Sequence, residues 1–198
     1  MKNSKVQNLV FSALLLTVGL VLPFFTGQIP QIGSMLLPMH LPVLLCGLIC
    51  GWKYGFAVGL IMPVMRSFLF GMPPMFPTAI SMAAEMAVYG AVAGWLYSRS
   101  RWQCVVSLYR SLIAAMLAGR LVWGAMQIVL LGLSGSAFTW QMFMAGAFLN
   151  AIPGIILQLT FIPALMVALD RARIVHFKRT HERNNHREGT EYAERRYH

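Results

Sequence analysis

The chain has 198 residues, of which 58% are hydrophobic and only 11% are charged, and its net charge is +10. Soluble domains contain about 25% charged residues, whereas Glu85 is the only acidic residue before Asp170 in this sequence. So few charges cannot cover the surface of a water-soluble fold, so the composition predicts an all-α integral membrane protein. The excess of basic residues then indicates topology rather than nucleic-acid binding, because Lys and Arg collect on the cytoplasmic side of membrane proteins.

Six apolar segments, separated by Pro- and Gly-containing breaks or by charges, have the character of membrane helices. They are predicted at about residues 5–25, 40–51, 54–70, 78–97, 103–133 and 138–169, with bends at Pro153 and Pro163 in the last. The break at residues 52–54 is the least marked, and one helix over residues 41–70 is the alternative, which gives five spans.

The distribution of Lys and Arg decides between six and five spans. With six spans, all basic clusters fall on one side of the membrane: those near both chain ends, Lys53 and the pair at 99–101. The loops on the other side then contain no Lys or Arg. With five spans, basic clusters face both sides. We therefore predict a compact bundle of six transmembrane helices in the plasma membrane, with both the N terminus and the C terminus cytoplasmic.

The predicted membrane domain covers residues 1–170, and residues 171–198 form a basic cytoplasmic tail that is expected to be partly disordered. The second helix is too short to cross a bilayer alone. It is therefore expected to begin within the membrane, after an irregular segment at 35–41 that packs against protein. Glycines between 47 and 59 and alanines between 83 and 91 recur every four residues, which predicts close helix packing.

Polar residues within the hydrocarbon are costly and indicate function or pairing. We expect an outward-facing, substrate-binding cavity that is lined by Arg66, Glu85, Arg120 and Asn150, with Gln127 and Gln158 on the last two helices. His40 lies between two prolines and either touches the ligand or bonds a free backbone carbonyl. Trp123 either lines the pocket or packs as most membrane aromatics do.

One glutamate cannot neutralise two arginines, so pairing of Glu85 with Arg66 or Arg120 leaves a surplus positive charge. An anionic or zwitterionic ligand, such as a carboxylate-bearing small molecule, would supply the missing partner. The alternative is a membrane structural or assembly protein in which these charges only lock helices together.

Catalytic and metal-binding patterns are missing from the sequence. It contains no nucleotide-binding motif and no nucleophile–base set, so we predict no enzyme and no catalytic residue. Cys46 and Cys50 share one helix face, which offers too few ligands for a metal, and all three cysteines are expected to serve in helix packing. We predict neither a metal site nor a cofactor.

Two segments carry a resemblance to a known family. Residues 37–47 read Leu-Pro-Met-His-Leu-Pro-Val-Leu-Leu-Cys-Gly, and residues 71–79 read Gly-Met-Pro-Pro-Met-Phe-Pro-Thr-Ala. Together with six helices and a short second helix, they resemble the S components of energy-coupling factor (ECF) transporters over residues 5–170.

This resemblance implies a subunit that binds a vitamin or a similar micronutrient on the extracellular side. Pantothenate, biotin, niacin and folates are vitamins that carry the expected carboxylate. The implied partners are a transmembrane coupling protein and two cytoplasmic ATPases, which are the subunits that use ATP. The resemblance also implies lids at 26–39 and 71–77 and a partner-docking surface at Ala13 and Thr17, where the family typically has two alanines.

Overall fold

The computed structural model describes residues 4–25, 38–100, 105–133 and 151–171, together with residues 139, 141 and 144. This part of the chain is helical and contains no strand, in agreement with the predicted all-α class. Its helices are α1 (Ser4–Phe25), α2 (His40–Cys50), α3 (Trp52–Phe70), α4 (Ile80–Arg99), α5 (Val105–Leu133) and α6 (Ile152–Arg171), and one wide helical turn, Met75–Ala79, precedes α4. Five helices in the described part are long and apolar enough to cross a membrane, and α2 is shorter.

The predicted and observed bounds agree within about two residues for the first five helices. The start predicted for the sixth helix, near residue 138, falls largely outside the described residues, as do the first lid and the basic tail. Pro153 lies in the first turn of α6, where its missing N–H costs no helical hydrogen bond, and Pro163 lies inside the helix. The number of membrane crossings and the cytoplasmic position of both termini stay predictions.

The chain breaks between α2 and α3 at Gly51, whose φ is +99°. L side chains rarely adopt this backbone conformation, so glycine is required there. The alternative of one helix over residues 41–70 is therefore wrong. The break also lies one residue before the predicted position, because a glycine backbone and not the charge of Lys53 ends the helix.

Glycines bring α2, α3 and α4 into backbone contact. A Cβ atom on Gly55 would collide with the backbone of Gly47 and Gly90, and one on Gly59 would collide with the backbone of Met86. The close packing predicted from the glycine row is confirmed by these contacts. As a result, α2 lies directly beside the middle of α4.

The short helix α2 is enclosed by its neighbours. Ten of its 11 residues are buried, and it packs against α1, α3 and α4. At its C-terminal end, Asn8 Nδ2 of α1 donates to the Cys50 carbonyl at 3.3 Å, and the Cys46 thiol donates to Ser12 Oγ at 3.4 Å. Both thiols are free of disulfides and buried between helices, which agrees with the predicted role in helix packing, and Cys104 lies outside the described residues.

Candidate functional site

Glu85 lies on α4 and is 1% exposed, and it contacts basic side chains from two other helices. Its Oε1 atom is 3.1 Å from Arg120 Nη1 of α5 and 3.7 Å from His40 Nε2 at the first residue of α2. His40 and Arg120 are buried as well. Three distant segments of the chain therefore bring an acid, a guanidinium and an imidazole together, and we call these three residues the charged cluster.

Tyr89 borders the charged cluster, one helical turn after Glu85 on the same face of α4. It is 1% exposed, and its ring meets the His40 ring edge to face, with centroids 5.1 Å apart. Across from it, a Cβ on Gly119 would lie 3.1 Å from the Tyr89 ring and 3.2 Å from the Glu85 carbonyl oxygen. The missing side chain at Gly119 lets α5 approach α4, which brings Arg120 within reach of the glutamate. Tyr89 was not predicted as a site residue, although its four-residue spacing from Glu85 was a usable signal.

Several buried polar atoms of the charged cluster have no hydrogen-bond partner among the described residues. Arg120 faces Glu85 with Nη1, whereas its Nε and Nη2 atoms are unpartnered, and so are both ring nitrogens of His40. Buried polar groups are nearly always hydrogen-bonded in proteins. Nε and Nη2 form one edge of the guanidinium, and such an edge can donate two parallel N–H bonds to a carboxylate. The arrangement can therefore hold a planar anionic group.

A second polar contact joins α4 and α5. Gln127 Nε2 lies 3.4 Å from Ser81 Oγ, and both residues are buried. Ser81 precedes Glu85 by one turn, whereas Gln127 follows Arg120 by two turns, so α4 and α5 run antiparallel along this contact. Gln127 was predicted as a polar residue of the cavity but Ser81 was not, because a serine in an apolar helix is common and gives no signal.

Arg66 makes its contacts away from the charged cluster. It donates through Nη1 to the Leu20 carbonyl of α1. Its guanidinium carbon lies 5.1 Å from the ring centre of Phe24 and 5.4 Å from that of Phe70, and these two rings meet edge to face at 4.9 Å. We call Arg66, Phe24 and Phe70 the aromatic clamp. Among the described residues, the ion pairs of Glu85 do not include Arg66.

The remaining predicted residues lie in different surroundings. Trp123 is half-buried on α5, one turn after Arg120, and Asn150 lies outside the described residues. Ala13 and Thr17 are both exposed on α1, where Thr17 Oγ1 donates to the Ala13 carbonyl at 3.0 Å. Within the described part of the chain, no group of three His, Cys, Asp or Glu residues is placed to hold a metal ion.

Comparison with known proteins gives one result that bears on this site. A family model described as "ECF transporter, substrate-specific component" matches residues 7–166, a range that includes the charged cluster and the aromatic clamp. No significant match was found among curated proteins or among solved structures. The family consists of transporter components rather than enzymes, and its members work with an ECF module of membrane coupling protein and ATPases. The chain, a multi-pass membrane protein with a match over most of its length, therefore belongs to the substrate-specific components of ECF transporters.

Proposed function

We propose that this chain is the substrate-binding subunit of an ECF-type importer and that it captures a carboxylate-bearing vitamin or related micronutrient from outside the cell. One observation carries the proposal: Arg120 meets Glu85 with one nitrogen and leaves its buried Nε–Nη2 edge unpartnered among the described residues. A carboxylate matches that edge in shape and charge. The coupling protein and two cytoplasmic ATPases then drive delivery inward, so the chain itself needs no cofactor.

The contacts within the cluster also suit an anion. Glu85 and Arg120 neutralise each other at 3.1 Å, and His40 lies 3.7 Å from the same carboxylate oxygen. The Nε–Nη2 edge of Arg120 has no partner among the described residues, so its N–H groups are left for a ligand acceptor. A cationic ligand would place a like charge against that edge, which is unfavourable in a low-dielectric environment.

The remaining predicted residues have separate roles in this proposal. Trp123, one turn after Arg120 on α5, and Asn150, which precedes α6 in the sequence, line the same outward-facing pocket. Arg66 supports the pocket by holding the outer ends of α1 and α3. Ala13 and Thr17 form the surface on which the coupling protein docks. In the plasma membrane, both chain termini face the cytoplasm.

A membrane assembly protein is the second candidate, and the ion pair itself favours it. Glu85 and Arg120 tie α4 to α5 across 3.1 Å, and a buried pair of this kind joins helices whether or not a ligand binds. Such a role gives no reason for an edge of Arg120 that meets no partner in the described part of the chain. The two functions differ in whether the purified chain binds a ligand saturably.

The test is to replace Arg120 and to measure ligand binding by the purified full-length chain. Thermal-shift and calorimetric titrations with pantothenate, biotin, nicotinate and folate identify the carboxylate that the unmutated chain binds. Arg120→Ala is expected to lower that affinity by about tenfold to a hundredfold, because a charge-assisted contact is lost. Arg120→Lys should restore the affinity only partly, since an ammonium does not reproduce the planar edge.

Arg110→Ala is the matched control, because Arg110 is exposed on the same helix and should leave the affinity unchanged. If no carboxylate binds and Arg120→Ala only lowers the unfolding temperature, the charged cluster is a structural lock and the assembly role is correct.

A further inference from the structure

The side-chain amide of Gln127 has a fixed orientation. Ser81 Oγ donates its hydrogen to the Thr78 carbonyl at 2.9 Å. A hydroxyl group has one hydrogen, so towards Gln127 the same oxygen can only accept. The Gln127 amide must therefore present Nε2 to Ser81, at 3.4 Å, and its Oε1 atom must point elsewhere.

Gln127 Oε1 is a buried acceptor without a partner. The residue is 8% exposed, and Oε1 has no hydrogen-bond partner among the described residues. Because buried acceptors in proteins are nearly always hydrogen-bonded, we expect a hydrogen-bond donor to face this atom. The group that complements Oε1 must carry an N–H or an O–H.

Gln127 and Arg120 lie on the same face of α5. Seven residues separate them, which amounts to two helical turns and an axial rise of about 10 Å between their Cα atoms. Gly124, which is buried, lies between them on that face and contributes no side chain. The guanidinium edge of Arg120 and the amide oxygen of Gln127 therefore lie on one face of α5, and the glycine between them contributes no side chain.

We propose that the substrate is an elongated carboxylate with a second group, an N–H or O–H donor, remote from the carboxylate, because Arg120 and Gln127 are two helical turns apart on α5. This inference rests on the proposed function, since Arg120 holds the carboxylate, and adds that Gln127 Oε1 accepts from the distal donor. The substrate class therefore excludes small aromatic acids such as nicotinate, which carry no second donor for Gln127 Oε1.

The unmutated chain tests the substrate class directly. Pantothenate and biotin carry a carboxylate with N–H or O–H donors well separated from it, whereas nicotinate carries a carboxylate and no distal donor. In thermal-shift and calorimetric titrations of the full-length chain, we expect saturable binding of pantothenate or biotin and none of nicotinate. Binding of nicotinate alone would overturn the proposal of an elongated substrate, whereas the proposed capture of a carboxylate would still be supported. If neither these three vitamins nor folate binds, both proposals are overturned.

Gln127→Met tests the role of the amide, because methionine preserves the length of the side chain and removes the oxygen. Affinity for the elongated carboxylate should fall about tenfold, the usual effect of one lost hydrogen bond. Gln7→Met is the matched control at an exposed position of α1 and should change nothing. If Arg120→Ala abolishes binding while Gln127→Met leaves it intact, the distal recognition is wrong. The comparison of probes on the unmutated chain decides the class even where Gln127→Met does not fold.

Discussion

Two buried arginines in this chain are stabilised in different ways at the level of single residues. Arg120 faces a carboxylate at 3.1 Å, whereas Arg66 donates to a backbone carbonyl and lies between two aromatic rings. Phe24 and Phe70 stand at the C-terminal ends of α1 and α3, where the helix dipoles are negative. Arg66 therefore has favourable electrostatic partners without an acid, which leaves Glu85 to Arg120 and His40.

Arg66→Ala is predicted to lower stability more than ligand affinity. The substitution removes two cation–π contacts, each of the order of 0.5–2 kcal/mol, and frees the C-terminal ends of α1 and α3. The unfolding temperature of the ligand-free chain should fall, and Arg66→Lys should recover part of it. Arg110→Ala, at an exposed position, provides the baseline for loss of an arginine. Should affinity fall while the unfolding temperature stays constant, Arg66 contacts the substrate instead.

Sequence reasoning identified the residues of the charged cluster but not their pairing. Charged groups are so rare in an apolar chain that Glu85, Arg120 and Arg66 are conspicuous in the sequence alone. Which arginine meets the glutamate depends on the rotation of α3 and α5 about their axes and on the absence of a side chain at Gly119. The helix rotations are set by tertiary packing and cannot be predicted from the sequence pattern of a single helix.

At the level of helices, the sequence predicted most boundaries because proline, glycine and charge interrupt apolar runs. The exact position of the break between α2 and α3 was harder to predict, because Trp52 and Lys53 interrupt the apolar run and drew the predicted break to themselves. The positive φ of Gly51 ends α2 one residue earlier. Gly51 belongs to a row of glycines that pack helices together, so the sequence does not show which of them adopts a positive φ. Ten of the 11 residues of α2 are buried, whereas the sequence predicted packing against protein only for the segment that precedes this helix.

The exposed face of α1 leads to a prediction about assembly. Ala13 and Thr17 are exposed and small, and the Thr17 hydroxyl is occupied by the Ala13 carbonyl at 3.0 Å. The surface is therefore apolar in character and shallow enough for a second helix to approach closely. Thr17→Trp is expected to abolish uptake by the complete transporter, while the isolated chain binds its carboxylate with unchanged affinity.

Leu121→Trp is a suitable comparison for Thr17→Trp. Leu121 is 67% exposed on α5, so the added bulk meets lipid rather than α1 and should leave uptake intact. Loss of binding together with uptake in Thr17→Trp would show that α1 is simply destabilised, and the docking surface would then lose its support.

For the whole molecule, the site and the topology depend on one another. The charged cluster can capture a substrate from outside only if the loops that join α1 to α2 and α3 to α4 face outward. If α1 and α3 run outward through the membrane and α2 runs inward between them, both of these loops lie on the outer side. Lys53 follows α2 and Arg99 ends α4, so both would then lie on the cytoplasmic side, in agreement with the preference of basic residues for that side.

Cysteine labelling of intact cells tests this topology. In a Cys104→Ser background, Gln31→Cys should react with a membrane-impermeant maleimide added outside, because the loop after α1 is predicted to be extracellular. Lys53→Cys is the matched control: Lys53 is exposed, yet it should react only after the membrane is permeabilised. The two native thiols at 46 and 50 are buried and should contribute little background. A reporter fused after His198 should be active in the cytoplasm, since basic tails are retained there. Labelling of Gln31→Cys only after permeabilisation would place the proposed pocket on the cytoplasmic side, and capture from outside would then be impossible.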